Sequence, residues 1–283
     1  MKVLVTGASG RLGLHVRRRL NEAQGIEAAY WGSPRSNPHN LASSVDLLDT
    51  ASVEAAVRDF EPEAIIHLAA VAGAACETDP RLARAVNADA TLALAAAAAG
   101  AGAGRFVFAS TAAVYGDRHS SPIDESAAFA GTSTYAKTKH LAEQGLRELC
   151  STNSHFRCAS LRVFNIYGDG FSDSLVTRLL ESSPSAPVAL RDLDDFVRDY
   201  VHVDDVVSAI SRALDAPLPE QFTAINVGSG IPTSNRALVH SLERARELFY
   251  TVARGEPSYS CANIALGRRL LGLDPVSIEK LFA

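Results

Sequence analysis

Lysine is scarce in this chain. Of 27 basic residues only four are lysine, Lys2, Lys137, Lys139 and Lys280, and two of these stand two positions apart. Cysteine is equally sparse. Cys76, Cys150, Cys158 and Cys261 are scattered without metal or disulfide spacing, which excludes both frameworks and points to reduced thiols. There is no basic excess: net charge is −5 and the pI is near 5.9. Such a balance gives no field for nucleic acid or an anionic membrane surface. No apolar run approaches the ~20 residues a membrane-spanning helix needs. The longest candidate, Ala93–Ala99, is short and alanine-rich. The opening residues already read as strand and turn, so no leader is expected and a cytoplasmic location follows.

What is present fits a globular protein. The 283 residues are 47% hydrophobic and 21% charged, enough for one large α/β domain with a small lobe. Val3, Leu4 and Val5 form an apolar run suited to a strand buried on both faces. Gly7, Gly10 and Gly13 follow, and Leu12, Leu14, Val16 and Leu20 begin a helix. A strand, a glycine turn and a helix N-terminus together make a phosphate cradle. The spacing is G-x-x-G-x-x-G, so Gly7, Ser9, Gly10, Arg11, Leu12 and Gly13 are candidates for holding a dinucleotide.

Alternation of strands and helices continues along the chain. Ile26–Trp31 is a second strand, ended by a turn that carries Ser33, Arg35 and Ser36 and no carboxylate. In a dinucleotide fold an acidic residue here binds the ribose of NAD and an arginine accommodates the 2′-phosphate of NADP, so NADP is expected, with NAD as the alternative. Val45–Leu47 reads as a third strand, placing Asp46 and Leu47 against the adenine. Ala64–Ala70 is a fourth, whose Leu68, Ala69 and Ala70 let the cofactor lie close, and His67 reads as a satisfied core histidine. Arg81–Gly100 is a long alanine-rich helix. Arg105–Ser110 is a fifth strand, a helix runs from Tyr135 through Cys150, and Cys158–Phe164 is a sixth strand.

This pattern predicts a doubly wound parallel sheet, Rossmann-like, with a small C-terminal substrate lobe. Residues 1–168 form the dinucleotide-binding core. Residues 169–196, interrupted by Pro184 and Pro187, insert into the substrate lobe; 197–228 return to the core; 229–283 complete the lobe.

Tyr135 and Lys139 lie four residues apart, on one helix face. A free phenol, with a pKa of about 10, is a poor base at neutral pH, and a nearby ammonium favours the phenolate. Tyr135 can then exchange a proton with a sugar or alcohol oxygen during hydride transfer, while Lys139 serves as a compact charge that also reaches a ribose. Thr111, after the fifth strand, offers a hydroxyl to the same oxygen.

The glycine triplet, His67–Ala70, Asn87, Ser110–Gly116, Tyr135 with Lys139, Arg162–Gly168 and Arg198–Asp205 occur in the order of the extended short-chain dehydrogenase/reductase family. More narrowly, residues 1–230 resemble its nucleotide-sugar epimerase/dehydratase group. The resemblance implies Thr111, Tyr135 and Lys139 as the catalytic triad and Asn87 as a backbone-ordering residue beside the cofactor. It implies Ser110, Thr111, Asn165 and Arg198 as substrate-binding, the last two at a diphosphate. For Arg198, an ion pair with Asp199 or Asp204 is the competing reading.

Some positions depart from the group. Ala112-Ala113 stand where dehydratases carry an Asp-Glu pair, which removes 4,6-dehydration. No cysteine stands near the catalytic hydroxyl, as it does in members that epimerise at C3 and C5. Ala253-Arg254-Gly255-Glu256 shifts by one place an arginine that contacts the diphosphate. The function expected is NADP-dependent reduction of a 4-keto-6-deoxy sugar, expected to be carried on a nucleotide. A nucleotide-sugar 4-epimerase with retained cofactor is the alternative, and a non-catalytic NADP sensor on the same fold the third reading, against which the triad argues. A homodimer is expected through Arg81–Gly100 and Tyr135–Cys150, packed as four helices.

Overall fold

The run Val3-Leu4-Val5 has no polar alternation because it serves two cores at once. In the computed structural model, which describes residues 1–32 and 43–282, it lies in β1 (Lys2–Thr6). Val3 and Val5 face one layer of helices and Leu4 the other, all three fully buried. From there the chain runs through α1 (Arg11–Asn21), β2 (Glu27–Gly32), β3 (Ser43–Ser44), α2 (Thr50–Phe60) and β4 (Ala64–His67). Next come α3 (Ala74–Thr78), α4 (Pro80–Arg84), a π-helical stretch Ala85–Asp89, α5 (Ala90–Gly100) and β5 (Arg105–Thr111). A 3-10 turn, Ala112–Tyr115, leads towards α6 (Thr134–Thr152), β6 (Arg157–Val163), β7 (Asn165–Tyr167) and α7 (Leu175–Leu180). The remainder is β8 (Val188–Arg191), β9 (Phe196–Arg198), β10 (Tyr200–His202), α8 (Val203–Ala213), β11 (Phe222–Val227) and β12 (Thr233–Ser234). It closes with α9 (Asn235–Glu243), β13 (Tyr250–Ala253), β14 (Ser258–Ser260), α10 (Ala265–Leu271) and α11 (Ile278–Leu281).

Seven strands form one parallel sheet in the order β3-β2-β1-β4-β5-β6-β11. The order reverses between β1 and β4, the switch point at whose carboxyl edge such sheets bind ligands. Val16 and Leu20 of α1, Val206 and Ile210 of α8 and Leu271 of α10 cover one face. Val53 and Val57 of α2, Leu94 and Ala98 of α5 and Leu146 of α6 cover the other. The short strands elsewhere pair among themselves: β8 with β13, β7 with β10, and β9 between β12 and β14. Tyr167, Leu179, Leu190, Leu238 and Leu242 give this region a separate core.

Several elements differ from the sequence reading. The third strand sits at Ser43–Ser44; Val45 and Leu47 pack against the core while Asp46 accepts from the Leu48 amide at 3.0 Å in a turn. The long helix Arg81–Gly100 is three pieces, with the π-helical stretch in the middle. The fourth strand stops at His67, and Leu68–Ala70 continue without a ladder. Ser33, Arg35 and Ser36 lie outside the described residues.

Candidate active site

The glycine turn is built from contacts that leave no room for a side chain. Gly7 has φ +68°, and a Cβ there would stand 2.6 Å from the Ala69 amide nitrogen. A Cβ on Gly13 would stand 2.2 Å from the Gly7 carbonyl oxygen, so α1 presses directly on the loop. The helix then begins at Gly10 without a side-chain cap or an acidic residue in its first turn. By contrast, α2, α6 and α9 are capped by Asp49, Ser133 and Ser234. The uncapped amides of α1 remain free to bind an anion.

In front of them opens a cleft of about 410 Å³, lined by Gly7, Ser9, Gly10, Trp31, Asp46, Leu47, Leu68, Ala69 and Ala70 among others. Its size suits a small-molecule cofactor. Gly7 and Gly10, which have no Cβ atoms, and the apolar walls fit a dinucleotide. Arg11, Leu12 and Gly13 do not line it. Arg11 pairs with Asp173 and lies 5.0 Å over the Phe171 ring, and Leu12 packs against the core.

Asn87 stands behind the cleft, fully buried. Its Oδ1 accepts from the Val71 amide at 2.7 Å, and its Nδ2 donates to the Val71 carbonyl at 2.9 Å and to Thr138 Oγ1 at 3.1 Å. It therefore ties the segment after β4 to α6, between Tyr135 and Lys139. Ser133 caps α6 through the Ala136 amide at 3.1 Å and fixes the start of the helix one residue before Tyr135. Lys139 is 1% exposed. Its Nζ donates to the Ala109 carbonyl at 2.8 Å and lies 4.5 Å from the Phe108 ring centre and 5.9 Å from that of Tyr135. Thr111, two residues beyond Ala109, ends β5, and its Oγ1 accepts from the Ala113 amide at 3.1 Å.

Electrostatics here run against the simple expectation that the ammonium lowers the phenol. Burial pushes Tyr135 up to about 12, with the Cys76 thiol adding to the effect. Burial also pulls Lys139 down to about 7, opposed by Glu143 and Cys76. In each group the loss of solvent disfavours the charged form and is the largest influence. His67 is the satisfied core residue expected. Its ring meets Thr6 Oγ1 at 2.6 Å and Thr91 Oγ1 at 2.8 Å, and burial, then Lys139, pulls it down to about 3.

A second cleft of about 320 Å³ opens at the carboxyl ends of β5 and β6, lined by Thr111, Asp117, Ser133, Asn165, Arg198 and Ser260 among others. Ser110 is not among its walls: its hydroxyl donates to Glu143 Oε1 at 2.7 Å and is buried. Strand alternation turns Ser110 and Thr111 to opposite sides. Asn165 Nδ2 donates to the Asp199 carbonyl at 2.9 Å. Arg198 pairs with Asp117, at 3.3 Å, and not with Asp199 or Asp204. Asp199 is occupied elsewhere, accepting from the Ser229 amide at 2.6 Å, the Ser229 hydroxyl at 2.7 Å, and the amides of Gly230 and Ala262.

Near Thr111, Tyr135 and Lys139 the pairing of Glu143 with Arg162 escaped sequence reading. Arg162 Nη2 donates to Glu143 Oε2 at 2.7 Å and Nε to Oε1 at 3.0 Å, both side chains under 10% exposed. The spacing Tyr135, Lys139, Glu143, four residues each time on one helix face, is the signal that could have found the glutamate.

Comparison with known proteins gives this geometry its context. The sequence model of the NAD dependent epimerase/dehydratase family matches residues 3–228. The chain is 29% identical to a UDP-glucose 4-epimerase of Rhizobium meliloti (strain 1021), over 96% of this chain and 92% of that protein. It is 27% identical to UDP-glucose 4-epimerase of Homo sapiens, over 96% and 91%. The crystal structure of the Thermus thermophilus UDP-glucose 4-epimerase complex with NAD aligns with a TM-score of 0.82 and 29% identity, covering 100% of this chain and 96% of that one. The Thermotoga maritima UDP-glucose 4-epimerase with UDP-glucose aligns with a TM-score of 0.83 and 26% identity, covering 100% and 96%. These relatives favour the epimerase alternative over the net keto reduction first expected.

Proposed function

Because the chain belongs to the NAD-dependent epimerase/dehydratase family, we propose that it inverts the C4 hydroxyl of a UDP-linked hexose, using a retained nicotinamide dinucleotide. The observation that carries this reading is the placement of Lys139. It is buried beside the Tyr135 ring and anchored on the strand that ends in Thr111, so one ammonium ties the three candidate catalytic groups together. The uncapped loop at α1, with Ser9, Asp46, Leu68, Ala69 and Ala70, would hold the cofactor. When bound, the cofactor supplies a reversible two-electron acceptor for C4. The names of the solved relatives support NAD in that role.

Tyr135, pushed up to about 12, is protonated at neutral pH and can donate to a substrate oxygen. To take a proton in the opposite direction it needs positive charge beside it, which Lys139 supplies as an ammonium. Thr111 orients the same oxygen. Asn165 and Arg198 line the second cleft, where they can meet the anionic part of the substrate. Arg198 is held there by Asp117, by the Ser258 hydroxyl and carbonyl and by the Val197 carbonyl, so an anionic group in the cleft would compete with these partners.

The test is to supply UDP-galactose with catalytic NAD and follow the sugar by proton NMR. Formation of UDP-glucose without net cofactor turnover is expected. Stoichiometric NADPH oxidation with a 4-keto-sugar nucleotide, and no C4 inversion, would overturn the reading in favour of reduction.

A further inference from the structure

The ion pair Glu143–Arg162 sits below the triad, and nothing in the proposed chemistry uses it. Glu143 is on α6, one turn beyond Lys139. Its carboxylate accepts from Ser110 Oγ at 2.7 Å, Ser160 Oγ at 2.8 Å and the Arg162 guanidinium twice. Arg162 Nη1 reaches on to the Tyr115 hydroxyl at 2.9 Å and the Glu125 carbonyl at 3.0 Å, and Tyr115 donates to Asn226 Oδ1 at 2.7 Å. One buried carboxylate thereby joins α6, β5 and β6, and through Arg162 the 3-10 turn and β11. Ser110 immediately precedes Thr111, and Lys139 precedes Glu143 by a turn. Every element that carries a triad residue is thus fastened at this point.

We propose that Glu143 is a positioning residue of the active centre: it supplies the negative charge that keeps Lys139 an ammonium, and through Ser110 it holds the Thr111 strand end in register with α6. The inference rests on the catalytic reading of Tyr135, Lys139 and Thr111. The groups facing Lys139 leave this role to Glu143. From β4 comes His67, pulled down to about 3 and neutral at physiological pH. From α3 comes the Cys76 thiol, raised by burial and also neutral. From β5 come the Phe108 ring and the Ala109 carbonyl. From α6 come Tyr135, protonated, and Glu143. Burial opposes a charge on Glu143, but Arg162, Ser110 and Ser160 outweigh it and hold the carboxyl below its ordinary value. Among these groups Glu143 is the anion at neutral pH, and Cys76 adds to its pull on Lys139 only where the thiol ionises. A unit charge one helical turn away, at an effective dielectric of about 20 and partly offset by Arg162, is worth on the order of one pH unit to an ammonium.

The scarcity of lysine makes a direct measurement practical. With only four lysines, 13Cε-lysine NMR resolves Lys139 and follows its titration in the full chain without substrate. In Glu143→Gln the Lys139 midpoint is expected to fall by about one pH unit. Ser160→Ala loosens the same cluster without changing its charge, and should lower the melting temperature while leaving the midpoint in place. Should Glu143→Gln not fold because Arg162 is left unpaired, the double variant Glu143→Gln/Arg162→Gln removes both charges together, and the Lys139 midpoint should still fall. An unchanged midpoint in Glu143→Gln or in the double variant, or an equal shift in Ser160→Ala, overturns the proposal. None of these readouts needs turnover, so they stand even where the UDP-hexose assay fails. Where it succeeds, kcat of Glu143→Gln should drop earlier on the alkaline side while KM holds.

Discussion

Gly13 tests whether the glycine loop is as tightly seated as its geometry implies. It lies inside α1, where replacing glycine by alanine ordinarily stabilises a helix by about 1 kcal/mol. Here the added Cβ would stand 2.2 Å from the Gly7 carbonyl oxygen and 2.7 Å from Ala8 Cα. Both are backbone atoms, so neither can rotate aside as a side chain would. Inserting a methyl group into a filled site costs about 1–3 kcal/mol, and a contact this short belongs at the upper end. The net expectation for Gly13→Ala is destabilisation by about 2 kcal/mol, a drop in melting temperature of about 4–8 °C. Relief requires the Gly7–Gly10 turn to move off the helix, so NAD affinity should fall at least about tenfold, which corresponds to ~1.4 kcal/mol. Gly100 provides the control. It ends α5 with nothing within 4 Å of its Cβ position, so Gly100→Ala should gain up to about 1 kcal/mol and leave NAD binding alone. Differential scanning fluorimetry and calorimetric NAD titration of both variants read these effects. A Gly13→Ala protein that melts at or above the parent and binds NAD equally would show that the loop is slack, and would refute the reasoning.

Four further outcomes are expected. Tyr135→Phe should lose nearly all turnover while cofactor titrations remain close to the parent; a near-normal rate would reject the catalytic role. Calorimetry with NAD and NADP sets the sequence expectation of NADP preference, drawn from Ser33, Arg35 and Ser36, against the NAD carried by a solved relative; equal or tighter NAD binding would remove that expectation, and loss of NADP affinity in Arg35→Ala would support it. His67 binds its proton far more weakly folded, at about 3, than unfolded, near 6.5, so the unfolded chain holds the extra proton between these values and stability falls as pH drops below about 6.5. His67 should contribute up to about 1.4 kcal/mol per pH unit to this acid-side decline, and His67→Gln should flatten it in urea melts at pH 6 and pH 5. Light scattering at micromolar concentration should show a homodimer, formed through the helices at 81–100 and 135–150; a monomer would exclude it.

The sheet was readable because its signals are local. Val3-Leu4-Val5, Ile65-Ile66 and Phe106–Phe108 are buried on both faces, and their unbroken apolar runs announce it. The loop at Gly7–Gly13 and the pair Tyr135 and Lys139 were readable because a turn and a helix face fix distances within a few residues. What escaped depends on distant partners. Arg198 could pair with Asp199 or Asp204 by proximity in sequence, yet it meets Asp117 across 81 positions. Asp199 was already claimed by amides of Ser229, Gly230 and Ala262. Ser110 reads like a site residue beside Thr111, but alternation along β5 turns its hydroxyl inward to Glu143. The short ladders β8–β13 and β12–β9–β14 are two to four residues long and too brief to leave a period in the sequence.

The π-helical stretch at Ala85–Asp89 carries one more residue per turn than the helix on either side of it. A regular helix would be built from one residue fewer, and every position beyond it would then swing by about 100° around the axis. Asn87 could no longer meet Val71 and Thr138 together, and Leu94, Ala95 and Ala98 would leave the face they now bury. The segment's buried faces are filled with alanine, so added volume is resisted there as well. Removal of one residue goes further, disturbing the proposed cofactor wall, the helix of Tyr135 and Lys139 and the core at once: the length of this stretch aligns the two halves of the candidate site.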